Sequence, residues 1–392
     1  MSSIDHVKSL TLDLPPSCIE LWPWNTQYAV IGTYNLEKSE EKSDGDVEIV
    51  EEHEGEEKKS QQRSGSLVMV RIEGDDVGIV QTLSTPSAIF DLHFFPGKAS
   101  IMAIATSTGT IELYRMLDKN GKAIDQCPDS SVIPTLVELR SIRVCPEDVM
   151  VTSFLWLPIG TTVVVTLSTG EVELRKIPFD EDQNSTLEVT LGTHSLEAWT
   201  AAFLPDVSAI YSGGDDSTLI CYGFSDTTSE GSGGSFETNW IEGNRTVLWS
   251  DRKTHGAGVT AILPLPTNSD QILLLTGSYD DHIRLISAPS FGRRSILAEG
   301  NLGGGVWRLK LLQCNQNFTD ILILASCMYA GARIVKLFQD AKSEWHFEVV
   351  AKFEEHKSMN YASECLPEIN EKGHRTFITT SFYDRLLCLW RF

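Results

Sequence analysis

Three histidines, His194, His255 and His356, each precede an aspartate at a similar remove: Asp216, Asp280 and Asp384. An imidazole beside a carboxylate can do two different things. It can satisfy buried polar groups beside strand ends, or it can be oriented to activate water as a general base, worth ~10²–10⁴-fold in rate. For His194 and His255 the orienting carboxylate is Asp215 or Asp216. Asp215 and Glu197 are not needed for the structural pairing, and their alternative fate is that of solvated surface carboxylates. Cys327 offers a second route, direct attack with a histidine as its base, against which stands the ordinary behaviour of a cysteine as a small buried hydrophobe. Hydrolysis by either route needs an oxyanion stabiliser, and the amides of Gly303, Gly304 and Gly305 or the guanidinium of Arg308 are the candidate donors.

The same stretch is rich in aromatic residues: Trp199, Tyr279, Trp307, Tyr329, Tyr361 and Tyr383. Core packing claims some of them. The remainder suit a cage for a quaternary ammonium, held by cation–π attraction of ~0.5–2 kcal/mol per ring and reinforced by neighbouring acids. The chain has no G-x-S-x-G, H-E-x-x-H, G-x-x-x-x-G-K-[ST] or helix-opening G-x-G-x-x-G signature. From residue chemistry alone, a recognition or scaffold protein is favoured over an enzyme.

Positioning these residues falls to strands. No long segment sustains a 3.6-residue apolar period, whereas short β-branched runs such as 67–72, 102–105, 163–167, 272–275 and 321–325 recur between turn residues. The chain reads as all-β. A pattern of apolar strand, second strand, small-residue turn and third strand recurs seven times, with first strands expected at 18–22, 89–95, 152–157, 199–204, 259–265, 306–312 and 361–366. Such repeats resemble those of WD40-type β-propellers, in which each supplies a four-stranded blade. The resemblance implies a single seven-bladed propeller over residues 1–392. A strand at residues 6–12 would complete the last blade and close the ring, removing the sheet edges. It also implies that the loop leading into each first strand and the turn after each second strand share one face. That face would be loaded on repeats four to seven, since the early turns Thr108-Gly109 and Thr169-Gly170 carry little chemistry. The Trp-Asp dipeptide itself is absent from every repeat.

Composition bounds the rest. The 392 residues carry a net charge of −22, with 41% hydrophobic residues. Such a field repels phosphates and anionic lipid surfaces, and no basic cluster exceeds two residues, so nucleic-acid and membrane binding are not expected. No apolar run approaches membrane-spanning length and no signal core follows the N-terminus, so a soluble, cytoplasmic chain is expected. Eight scattered cysteines without a CxxC pair predict neither disulfides nor a metal site. Residues 37–59 hold eleven acids against four lysines, which predicts a disordered acidic insertion over 37–64 in the first repeat. A flexible Gly/Ser insertion is expected over 225–239.

Particular phrases go beyond generic propeller repeats. Glu197-Ala198-Trp199, Tyr211-Ser212-Gly213-Gly214-Asp215-Asp216, Thr276-Gly277-Ser278-Tyr279-Asp280, Gly304-Gly305-Val306-Trp307-Arg308 and Ser381-Phe382-Tyr383-Asp384 together resemble the WD-repeat diphthine methyl ester hydrolases of the diphthamide pathway. The likeness is densest over 194–392, with Ile31-Gly32-Thr33-Tyr34 also fitting, while 75–190 matches only as generic repeats. The resemblance implies an enzyme without cofactor that removes a methyl ester from methylated diphthine on elongation factor 2, its partner, leaving a carboxylate for amidation. The trimethylammonium of that substrate would fit a rim built from Glu197, Trp199, Tyr279, Gly304, Trp307, Tyr361 and Tyr383, with catalysis drawn from His194, His255, Asp215, Asp216, Cys327 and Arg308. A propeller closed by its own ends needs no dimer edge, so a monomer is expected. The alternative is a non-catalytic WD40 adaptor that binds a protein, or a methyl-ammonium-bearing residue, on the same face.

Overall fold

The computed structural model describes residues 3–36, 63–129, 132–158, 160–179, 188–224, 240, 245–267 and 271–392. The acidic stretch up to residue 62 and the Gly/Ser stretch 225–239 lie outside them. Every named element among the described residues is a β-strand, and the strands form seven sheets. Blade 1 comprises Pro16–Leu21, Tyr28–Thr33, Arg63–Glu73 and Asp76–Thr85, with the short Asn35–Leu36 paired to the start of its third strand. Blades 2 to 6 have first strands Ile89–Phe94, Val151–Trp156, Ala198–Phe203, Val259–Leu265 and Arg308–Cys314, and blade 7 begins at Ser363–Ile369.

Within a strand, side chains alternate faces, and here both faces are claimed by neighbouring blades. In Tyr28–Thr33 of blade 1, Tyr28 and Val30 pack against Ile89, Leu92 and Met102 of blade 2. Ala29 and Ile31 pack against Ile378 and Leu387 of blade 7. Seven such apolar clusters lie one between each adjacent pair of blades. This explains why the second strands Tyr28–Thr33, Ile101–Thr106, Thr162–Leu167 and Leu273–Ser278 are buried at every residue, while outer strands such as Asp76–Thr85 alternate.

The ring closes as expected from the sequence. His6–Thr11 pairs antiparallel with Leu386–Arg391, so the first residues supply the outer strand of the last blade. Two first strands begin later than expected, at Arg308 and Ser363 rather than at 306 and 361. The residues left ahead of them include Trp307 and Tyr361, whose rings contact each other.

Candidate functional site

Seven-fold equivalence builds the mouth. In blades 1 to 5 the register between first and second strands slips just after the first strand begins. The extra residue at such a bulge has its side chain re-aimed; here it is Ser17, Phe90, Thr152, Trp199 and Thr260. Trp307 and Tyr361 hold the corresponding places ahead of blades 6 and 7. Small hydroxyl residues therefore alternate with aromatics around the ring, and the small ones staple the large ones. Ser17 Oγ donates to the Ile89 carbonyl at 2.6 Å and Thr260 Oγ1 to that of Val306 at 2.5 Å, while Thr152 Oγ1 donates to that of Ala198. Each carbonyl belongs to the residue before Phe90, Trp307 or Trp199. Because seven is odd, one pair of aromatics must be neighbours: the Trp307 and Tyr361 rings lie 5.0 Å apart.

A second ring of residues begins the turn after each second strand. Tyr34, Ser107, Ser168, Asp215, Tyr279 and Phe382 each donate a backbone N–H to the carbonyl of the lead-in loop beside them, over 2.8–3.0 Å. The two rings interlock. Trp307 touches Trp199 at 5.7 Å and Tyr279 at 5.9 Å, and the chain of rings continues through Tyr361, Phe382, Tyr34 and Phe90 at centroid spacings of 5.5, 6.0 and 5.3 Å. The Trp199 indole N–H donates to Asp215 at 3.2 Å. A Cβ on Gly258 would lie 2.9 Å from Asp215 and from the Tyr279 ring, so the glycine is what lets blades 4 and 5 approach here. Burial, then the charges of Tyr361, Asp215 and Glu197, push the Tyr279 phenol well above its ordinary range, with Arg308 opposing. Tyr279 therefore stays a neutral hydroxyl among acids.

Beneath the aromatics the channel carries charge. The Arg308 guanidinium lies 5.3 Å from the Trp307 ring, donates to the Trp307 carbonyl at 3.3 Å and approaches Asp91 at 3.6 Å. Asp91 also accepts from Ser153 Oγ at 2.7 Å and faces His93 at 3.5 Å, and His93 in turn meets Glu20 at 3.0 Å. One level further in, Lys310 pairs with Glu364. Glu20, Asp91, His93, Arg308, Lys310 and Glu364, with Tyr361, Pro23 and Pro367, line a cavity of about 580 Å³.

The structure thus brings Glu197, Trp199, Asp215, Tyr279, Trp307, Arg308 and Tyr361 into one locality. Other candidates stand elsewhere. His194 is buried, with Nδ1 on Asp216 at 2.9 Å and Nε2 on Ser212 at 2.7 Å, and Asp216 is further held by the Ser195 N–H. This is the structural His–Asp pair, with no ring nitrogen left for water. The same pairing expected for His255 and His356 is not made. Their Nε2 atoms bond Thr276 and Thr379 at 2.8 Å and their Nδ1 atoms are buried without a partner. Asp280 is instead taken by Arg284 at 2.8 Å, and Asp384 by Ser358, Ser381 and the Lys357 N–H. Cys327 is fully buried, and desolvation raises its thiol to about 12, so a thiolate is not available. Gly304 packs against the blade 6 turn, where a Cβ would meet the Cys327 carbonyl at 2.4 Å. Tyr383 is 71% exposed and joins the chain of rings only at Phe382, 5.0 Å away, without touching Trp307.

The face was expected to be loaded on repeats four to seven; blades 1 and 2 also place Tyr34, Phe90, Asp91, His93 and Glu20 beside these groups. Glu20, Asp91 and His93 lie within first strands rather than in the loops and turns where the sequence concentrates its distinctive residues. The available signal was a charged residue at alternate positions of an apolar strand, as in Ile89-Phe90-Asp91-Leu92-His93-Phe94.

Buried histidines have a consequence for stability. Burial, joined for His255 by the Arg284 charge, lowers His255 and His356 from 6.5 to about 4, against the pull of Asp280 and Asp384. Between those values the unfolded chain binds more protons than the folded one. Stability is therefore present above about pH 6.5 and lost as pH falls toward 4, by up to about 1.4 kcal/mol per pH unit for each histidine. Urea denaturation is expected to show a lower midpoint at pH 5 than at pH 7, with a smaller difference in His356→Asn. An equal difference in that variant contradicts the assignment.

Fold and mouth together define a seven-bladed WD40-type propeller with an aromatic, acidic and guanidinium-bearing central opening. Over nearly its whole length the chain is similar to the diphthine methyltransferases of Schizosaccharomyces pombe, at 28% identity over 92% of this chain and 90% of that protein, and of Saccharomyces cerevisiae, at 26% over 98% of both. It is 24% identical to a diphthine methyltransferase homolog of Dictyostelium discoideum over 97% of each. These relatives bear out the resemblance carried by the phrases around Trp199, Tyr279 and Trp307. Among solved structures, a chain of a mitotic checkpoint complex superposes with a TM-score of 0.63 at 12% identity, covering all of this chain and 92% of the other. Chaetomium thermophilum Sqt1, bound to the N-terminus of ribosomal protein L10, gives 0.59 at 12%, covering 96% and 86%; both show the propeller fold alone. No protein-family model matches the chain. Among the described residues no helix is long and apolar enough to cross a membrane.

Proposed function

We propose that this chain acts in diphthamide biosynthesis as a carboxylic ester hydrolase, removing the methyl ester from methylated diphthine on elongation factor 2. The observation that supports this reading is the mouth itself. Trp199, Tyr279, Trp307 and Tyr361 provide π faces for a trimethylammonium, Asp215 and Glu197 add negative charge, and Arg308 sits at the edge of the same group of rings. The net reaction takes one water and gives carboxylate, methanol and a proton. The relatives' names speak of methyl transfer; hydrolysis instead transfers the acyl group to water.

The water route is kept and its base is reassigned. His194 has both ring nitrogens engaged and His255 is buried with its Nε2 on Thr276, so a carboxylate at the mouth, Asp215, takes the proton from water as it adds to the ester carbon. Arg308 stabilises the tetrahedral oxyanion, whose collapse expels methoxide to be protonated as methanol. Glu197 completes the negative wall of the ammonium site. In this scheme Cys327→Ala retains methanol release within about twofold, since small buried substitutions act on stability rather than chemistry. A loss of more than a hundredfold in a folded Cys327→Ala protein restores the covalent route.

Purified protein with methylated elongation factor 2 tests the function. Many equivalents of methanol per protein are expected, falling steeply in Asp215→Asn. A stoichiometric complex without methanol instead identifies an adaptor.

A further inference from the structure

Resting on that reading of Arg308, we infer that Asp91 is a positioning residue that fixes the guanidinium under the aromatic mouth. An arginine side chain left free would spread over many rotamers, and ordering it during reaction would cost conformational entropy. The structure removes that cost beforehand. Arg308, on blade 6, is tied on one side to its neighbour's carbonyl at 3.3 Å and on the other to Asp91 of blade 2 at 3.6 Å. Its side chain keeps 30% exposure, whereas that of Asp91 keeps 6%. The carboxylate is therefore the fixed anchor and the guanidinium the working end.

The anchor is itself held from two further blades. Ser153 of blade 3 donates to Asp91 Oδ2 at 2.7 Å, and His93 stands between Asp91 at 3.5 Å and Glu20 of blade 1 at 3.0 Å. The order Glu20, His93, Asp91, Arg308 alternates in sign across the channel. Burial would raise Asp91, but the charges of His93 and Arg308 outweigh it and hold it at about 2, while Asp91 and Glu20 raise His93 despite its burial. A protonated His93 offsets part of the Asp91 charge, so the guanidinium is oriented without being fully neutralised before an oxyanion forms. Donors aligned in advance are what make such stabilisation effective.

The test compares methanol release by the full chain in wild type, Asp91→Asn, Arg308→Gln and the double variant, each with its melting temperature. Asp91→Asn keeps the shape and the Ser153 contact but loses the charge toward Arg308. It is expected to lower kcat about ten- to hundredfold with KM within about twofold, and to add almost nothing when Arg308 is already Gln, because the two act as a unit. Unchanged kcat in Asp91→Asn, or losses that multiply in the double variant, overturns the proposal. Should Asp91→Asn not fold, Ser153→Ala replaces it, with a smaller loss in kcat expected that again vanishes in the Arg308→Gln background; a loss that persists there overturns it. Full activity in Arg308→Gln itself, or no methanol from wild type, defeats the underlying reading of the site and is distinguished by those two arms alone.

Discussion

Replacing Arg308 by Gln is expected to lower kcat for methanol release by ~10²–10³-fold while leaving KM close to wild type, the pattern for a donor that strengthens only as the oxyanion forms. The side chain lies in the channel and not in the apolar clusters between blades, so the fold should survive. Arg308→Lys is expected to recover little, because an ammonium cannot reproduce the fork that spans the Trp307 carbonyl and Asp91. Initial rates over a range of substrate concentrations check both statements. A rise in KM with unchanged kcat would move Arg308 from oxyanion stabilisation to ground-state binding.

Trp307→Ala should produce the largest effect on binding. Its ring is the hub of the mouth, in contact with Trp199, Tyr279, Tyr361 and the Arg308 guanidinium. Losing one cation–π face at ~0.5–2 kcal/mol and loosening three others is expected to raise KM about tenfold or more, tenfold corresponding to about 1.4 kcal/mol. Trp307→Phe keeps a π face and should fall between. The dissociation constant for tetramethylammonium, followed by tryptophan fluorescence, should move in the same order. Equal affinity in wild type and Trp307→Ala would remove Trp307 from the ammonium site.

Much of this was legible in the sequence because a propeller repeats its physics. Seven apolar strands with small-residue turns predicted the blades, and the unpaired final strand ending in Leu389-Trp390 predicted a partner over residues 6–12, found at His6–Thr11. Trp199, Trp307 and Tyr361 could be grouped because they fall at equivalent places ahead of or in the first strands, and Tyr279 because it begins the turn after a second strand. Their spacing could not show that a bulge turns Trp199 into the mouth, or that Ser17, Thr152 and Thr260 staple the strands beside the large rings. The histidines misled for a physical reason. A polar residue at a blade edge serves burial first, so His194, His255 and His356 turn inward to Ser212, Thr276 and Thr379. The role of Asp91 was not legible because its partner Arg308 lies four blades away along the chain and comes within reach only across the closed ring.

Whether the acyl group or the methyl group is what the protein transfers decides the account. Reaction of methylated elongation factor 2 in water enriched in heavy oxygen, with mass analysis of both products, reads this directly. The account predicts label in the new carboxylate and unlabelled methanol. Label in the methanol, or a methyl group carried to another acceptor with no methanol formed, would contradict it.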